Sequence, residues 1–523
     1  RQYSGGNLAE SSLTAFLIIW CSSCFAGANI TPPMVNGAYK PILSDNIVQL
    51  NNSQQVCGIR KSLNTLSEEL ASFVYGLEAS EIPAYVIDKA KLHLLDTLGV
   101  TAAGAAEPQI RSILTVIRDF GGSPVSSILW HGGKHPPPMA ALVNGSMGHA
   151  LDYDDTHLPA IMHLSSPIVA TVLSMGEALN ASGSESLTAL VAGYEVASRL
   201  GMAVKGKFHE RGFHATSVCG VFGTTLAAGK LLNLTQEKLV GALGIAGSLA
   251  SGLMEFLSDG SWVKPLHAGW AAQAGIMAAF LARQGIIGPR RIIEGDKGLY
   301  MAYAGVKPSA DDVLAGLGKS WETMNISFKL FPNCHLIHDF MSTAIALRKR
   351  HNIELGQIKE VECFVDKLSI PIICRPQERK INPRTRYDAM FSLHYGVATA
   401  LVKGWASILD FEPFEGIPSE ITQLLGKIRF SEAEENDDVI IKVVMEDGST
   451  YYGVRSDIPQ IDSGQVITKF RSNTEMVLTD DMREELITLT LNLEKLDDVG
   501  KLVGRCISNK TIVRKGQEYP DGD

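Results

Sequence analysis

The chain has 523 residues, too many for one compact core, so two domains are the starting expectation. Hydrophobic residues make up 45% and charged residues 20%, which excludes extensive disorder. The formal net charge of −9 excludes the basic face that nucleic acid requires, so a bound anion must meet cations gathered locally in a pocket.

Residues 1–60 read as leader and linker. The stretch LTAFLIIWC is apolar but too short to span a bilayer. A disordered leader or an extension of the reading frame ranks there above a cleaved N-terminal signal. Eight cysteines are scattered along the chain, and Cys21 and Cys24 are the one close pair. They complete no zinc or iron–sulfur set, and suit a reducing, intracellular compartment, cytoplasmic or mitochondrial.

From about Leu63 amphipathic helices begin. LNTLSEELASFVYGL has helical spacing, with Ser67, Glu68 and Glu69 in its first turn. VIDKAKLHLLDTLGVTAAGA reads as a second helix ending in glycine. Between 138 and 305, Ala/Gly/Leu-rich segments alternate with polar turns, and helices so apolar all round should be buried and closely packed. Near residue 323 the texture changes. IKEVECFVDKL and DDVIIKVVMEDGSTYYGV alternate as strands do, the second turning at Asp447-Gly448, and YDAMFSLHYGVATALVKG between them reads as one helix. The segment from LTDDMREELITL onward returns to helix. The pattern predicts a mostly α protein with an α+β part: a large all-helical domain over 61–322 and 461–513, a smaller α+β lid domain over 323–460, and a tail at 514–523.

The chemistry concentrates in five stretches, which hold nine of the thirteen histidines. The first joins His149, Asp152, Asp154, Asp155, Thr156 and His157 to His163. Three carboxylates beside three histidines are costly to bury unless paired or used. The second, FHERGFHATSVCG, carries His209 and His214, with Thr216 and Ser217 placed to cap the following helix over a carboxylate. The third sets Lys264 and His267 between Trp262 and Trp270, as a buried cation waiting for an anion. The fourth and fifth hold Lys329, Cys334, His335 and His338, then Arg384, Arg386, His394 and Tyr395. Such clustering points to acid–base catalysis. No complete metal-ligand set is legible, so no metal and no cofactor is expected.

In these stretches the chain resembles the MmgE/PrpD family, over about residues 63–513. LDYDDTH, GFHATSVCG, KPLHAGWAAQAG, KLFPNC and FSLHY follow one another in the family's order. The family includes 2-methylcitrate dehydratase, cis-aconitate decarboxylase and iminodisuccinate epimerase. The resemblance implies a homodimer of subunits with a helical domain and an α+β lid, acting on a small tricarboxylate or dicarboxylate. By motif, it implies catalytic roles for His163, Asp152, His214, Lys264 and Tyr395. It implies substrate contacts from Thr156, Lys329, His267, Cys334 and His335. His163 would be the proton donor or acceptor, oriented by Asp152. Lys264, Lys329 and His214 would clamp carboxylates and the carbanion, and Tyr395 would arrive with the lid.

Two departures stand out from the decarboxylase. Cys334 occupies a position where it has His, with His335 one residue later, and the Thr156–His163 spacing is one residue longer. From the dehydratase, His163-Leu-Ser-Ser-Pro replaces His-Pro-Ser-Asp-Asn. The resemblance ranks cis-aconitate-type decarboxylation first, 2-methylcitrate-type dehydration second and epimerisation third, with a non-catalytic binding protein as the alternative of another class.

Overall fold

The computed structural model describes residues 64–411, 416–434, 438–458 and 461–507. The leader, the linker, Cys21, Cys24 and the tail lie outside the described residues.

Helix α1 (Leu66–Gly76) is started by Thr65, whose side chain accepts from the Glu68 backbone while Glu68 reaches back to the Thr65 backbone. The cap therefore precedes Ser67, which is buried within the first turn. Helix α2 (Ala84–Gly104) follows Pro83 and buries nearly every residue beyond Leu94. Next come α3 (Pro137–His149), α4 (Ser165–Leu179), α5 (Gly183–Met202), α6 (Gly220–Leu231), α7 (Gln236–Leu249) and α8 (Val263–Arg283). The small residues have a specific use. A Cβ on Gly269 of α8 would lie 2.1 Å from the Leu142 carbonyl of α3, so the two backbones touch where they cross. That contact brings Lys264, at the start of α8, toward His149 and the loop that leaves α3.

The loop is pinned by a two-stranded ladder, β1 (Thr156–His157) against β2 (Ile326–Ser327), with Thr156 opposite Ser327. Beyond it lie α9 (His338–His351), β3 (Ile358–Val365), α10 (Arg386–Met390), α11 (Leu393–Lys403), β4 (Ile428–Glu432), β5 (Val439–Met445) and β6 (Thr450–Val454). The four longer strands form one sheet in the order β4-β3-β5-β6, with β3 and β4 parallel and the other pairs antiparallel. Gly448 turns the β5–β6 hairpin at a φ of 86°. The helix expected over residues 387–404 is two helices. Phe391 and Ser392 leave helical geometry, and the Ser392 side chain caps α11 by accepting from the Tyr395 backbone.

The chain is mostly helical with an α+β part, and it has two main apolar clusters. One runs from Leu66 to Ile326 and resumes from Phe470 to Cys506. The other runs from Phe331 to Met445 and covers the sheet with α9 and α11. Helices α12 (Ser463–Thr474) and α13 (Asp480–Leu491) return the chain to the first cluster. Lys469 of α12 fixes that return. Its ammonium donates to Asp96 of α2 at 2.8 Å and to the Tyr153 carbonyl at 2.8 Å. Among the described residues no helix is long and apolar enough to cross a membrane.

Candidate active site

The loop leaving α3 turns at Asp152, which has a φ of 49°, a conformation that Asp tolerates better than most residues. The turn drives the carboxylate inward. Its Oδ1 accepts from the Lys264 ammonium at 2.7 Å and from the Lys329 ammonium at 2.9 Å. Lys329 also donates to the Asp152 carbonyl at 2.6 Å. Burial alone would raise the Asp152 carboxyl. The charges of Lys264 and Lys329, with His163 and His149 behind them, instead hold it well below the usual carboxylate range. Two ammonium groups share one carboxylate oxygen, so donors remain for a second anion.

This corrects the sequence reading of Lys264. Trp262 and Trp270 are 60% and 42% exposed and do not sandwich it. Lys264 is buried because α8 begins beneath the loop, and its ammonium lies 4.9 Å from the centre of the Phe391 ring. Asp152 already balances its charge.

Four imidazoles stand beside this ion cluster. His163 donates through Nδ1 to the Asp155 carbonyl at 2.9 Å, with Asp154 Oδ1 at 3.3 Å and Asp152 Oδ1 3.5 Å from Nε2. Asp155 and Asp154 therefore orient its ring, rather than Asp152 alone. His149 bonds to Asp154 through Nδ1 at 2.9 Å. Burial, against the pull of Asp154, lowers His149 to about 4. His214 and His267 bond Nδ1 to Nδ1 at 3.1 Å. Burial, with His149 and His267 adding to it, holds His214 well below the usual histidine range. Burial, then Lys264, lowers His267 to about 4.

A cavity of about 70 Å³ opens onto Asp152, His163, His214 and Lys264 from one side. Thr156, Cys334 and His335 also face it. The Thr156 hydroxyl is buried without a hydrogen-bond partner among the described residues. Burial, then Asp152, pushes the Cys334 thiol up, and burial with Lys329 lowers His335 to about 3. Lys329 reaches the cluster from behind Asp152. His267 meets the cluster through His214.

Two expectations fail on geometry. Thr216 does not cap α6; its hydroxyl accepts from the His163 backbone at 3.0 Å, and Cys219 at the helix start makes no side-chain cap. Tyr395 does not face the cavity, because Ser392 restarts the helix and turns the phenol to donate to the Asp410 carbonyl at 2.8 Å. The phenol nearer the site is Tyr387 of α10. Its hydroxyl is buried without a hydrogen-bond partner among the described residues, and its ring stacks at 4.9 Å on Phe391, which lines the cavity. Burial, then the charges of Asp152 and Cys334, drives Tyr387 well above the ordinary range.

His149, Asp154 and Tyr387 were not singled out for roles from sequence, although His149 and Asp154 stand in its densest polar cluster. The signal for His149 was its place at the end of an otherwise apolar helix. His149, His163 and His214 each offer a ligand atom within 4.8 Å of the others, as do His149, Asp152, Asp154 and His163. His157, in the same motif, faces away and pairs with Glu322 at 3.0 Å.

Comparison with known proteins follows the same division. The MmgE/PrpD N-terminal domain matches residues 68–310 and the MmgE/PrpD C-terminal domain matches residues 331–495. Cis-aconitate decarboxylase of Homo sapiens is 29% identical over 483 residues, covering 88% of this chain and 96% of that protein. The Mus musculus enzyme of that name is 28% identical, covering 84% and 93%. That of Aspergillus terreus is 27% identical, covering 84% and 95%.

Proposed function

The chain belongs to the MmgE/PrpD family and is a lyase, and from that premise we propose that it decarboxylates cis-aconitate through a carbanion without a bound cofactor. The observation that carries the reading is the pair of buried lysines sharing Asp152 at the wall of a cavity that also faces four imidazoles. A tricarboxylate needs cationic donors in a water-poor pocket, and the carbanion left by carbon dioxide needs the same donors more strongly.

Lys264 holds one carboxylate, with Lys329 supporting the charge from behind. The carboxylate on the CH2 arm leaves as carbon dioxide, and its bonding pair spreads over the adjacent double bond. His163 delivers a proton to the far carbon of that allylic system, giving methylenesuccinate, and takes a proton back from water. His214 donates to a second carboxylate. We take residues 323–460 as a lid whose Cys334 and His335 close over the substrate.

A homodimer belongs to the same reading. Val263, Trp270 and Met277 repeat at intervals of seven along α8 and are exposed, an apolar stripe that a second copy would cover. The five described cysteines, Cys219, Cys334, Cys363, Cys374 and Cys506, are free and buried, which suits the cytoplasm or the mitochondrion.

The test incubates purified protein with cis-aconitate and follows carbon dioxide and product mass. Expected is release of one carbon dioxide per cis-aconitate, with turnover reduced about a hundredfold in His163→Ala. Dehydration of 2-methylcitrate, epimerisation without loss of mass, or no reaction with any polycarboxylate would each sink the proposal.

A further inference from the structure

Three histidines beside the cavity have their Nδ1 atoms committed, and each offers a ligand atom within 4.8 Å of those of the other two. His149 Nδ1 meets the Asp154 carboxylate at 2.9 Å and His163 Nδ1 meets the Asp155 carbonyl at 2.9 Å. Both partners can only accept, so Nδ1 carries the hydrogen in each ring and a neutral ring has its lone pair on Nε2. His214 shares the hydrogen of its Nδ1 contact with His267 at 3.1 Å, and as donor it too presents a bare Nε2.

The rings are close. Centroids of His149 and His163 are 4.5 Å apart, those of His149 and His214 are 5.7 Å apart, and a ligand atom of each lies within 4.8 Å of those of the other two. His149 is 1% exposed, and its Nε2 is buried with no hydrogen-bond partner among the described residues. His163 Nε2 lies 3.5 Å from Asp152 Oδ1, and Asp152 Oδ2 is also buried without a partner among the described residues. An unpartnered imidazole nitrogen and an unpartnered carboxylate oxygen can both be satisfied by one cation, and Lys264 and Lys329 bond the other oxygen of Asp152.

We infer that His149, His163 and His214 form a transition-metal site, with Asp152 at its edge, for a divalent ion of the zinc or cobalt class. Three imidazoles with an open fourth position are a donor set for such ions. A carboxylate or carbonyl on the far nitrogen of a ligand ring is the usual outer support, and here Asp154 and the Asp155 carbonyl supply it. Metal–nitrogen bonds of about 2.0–2.1 Å put tetrahedral ligands about 3.4 Å apart, so ligand atoms within 4.8 Å must approach by up to about 1.4 Å to close the set. Such an ion would take the Nε2 lone pair that His163 uses to move a proton. Occupancy therefore turns the lyase off, and this consequence rests on the proposed function.

The experiment strips the full-length protein with a chelator, removes the chelator and titrates Co2+ alone, by calorimetry and by its visible absorption. Expected are one Co2+ per chain with a low-coordinate absorption band, and at least a tenfold loss of affinity in His149→Gln and in His214→Gln. Thermal melting identifies which variants are folded, and either one suffices. No saturable binding, or binding unchanged in the folded variants, overturns the site. Turnover is measured in parallel. Activity in the stripped protein that falls on adding Co2+ supports site and switch. Stripped activity indifferent to Co2+ overturns the switch while the proposed lyase activity stands. Activity that requires Co2+ overturns the switch and the cofactor-free reading together. Binding without turnover in either state overturns the proposed lyase activity and leaves the site.

Discussion

The two walls of the cavity are built differently. The wall from the helical part is a network in which each charge already has a protein partner: Asp152 with Lys264 and Lys329, Asp154 with His149, Asp155 with Ser165. The wall from the α+β part is sparse. It offers Leu336, Ile372 and Phe391 around Cys334 and His335, with Tyr387 behind them. A network that binds itself needs no substrate to hold its shape, whereas unpartnered groups such as the Tyr387 hydroxyl gain a partner only when something enters. On the proposed function, the difference teaches that charge recognition would be preorganised on one side, and that closure and water exclusion would fall to the other.

The comparison is broken most severely at Asp152. Asn keeps the left-handed backbone accessible while removing the charge, so Asp152→Asn leaves two buried lysines without their shared counter-charge. The expected cost is about 3 kcal/mol in denaturant unfolding, with turnover lower by at least about a hundredfold. A folded variant of normal stability and normal turnover would show that the network is not what binds the substrate.

The sparse wall is probed by a pair of tyrosines. Tyr387→Phe should lower kcat about tenfold with stability unchanged or slightly raised, because a buried hydroxyl without a partner is removed. Tyr395→Phe should do the reverse. It loses the bond to the Asp410 carbonyl, costing about 1 kcal/mol, and keeps its kinetics. Thermal melts and steady-state kinetics on both variants decide between them. The opposite pattern would return the lid phenol to Tyr395.

The smallest effect is on the pH dependence of stability. Burial, first among the causes, lowers His149, His209, His267 and His394 to about 4 and His335 to about 3, from 6.5. These rings stay neutral when folded and gain protons when unfolded, so stability is full above pH 6.5 and falls as the pH drops toward 4. Asp96, pushed up to about 6 by burial against Lys469, acts in the opposite direction, but it is one group against five. The melting temperature should therefore decline between about pH 7.5 and about pH 5. A flat profile would mean that the histidines on both walls are hydrated.

Local pattern determined much of this protein. Small residues at helical spacing announced buried helices, and alternation in IKEVECFV announced β3, because those signals are carried by neighbours along the chain. Asp447-Gly448 announced its hairpin for the same reason. Motif density located the site, since a cluster holding Asp152, Asp154, Thr156 and His163 has few uses in apolar surroundings.

Tertiary structure decided which atom meets which. Lys264 and Asp152 are 112 positions apart, and Lys329 is 177 from Asp152. Nothing in their own neighbourhoods says that they share an oxygen. The same limit hid the contact of Tyr395 with the Asp410 carbonyl, which follows a helix break at Phe391 and Ser392. It also hid the grouping of His149 with His214, 65 positions apart, which meet only once α3 packs beside the segment that leads into α6.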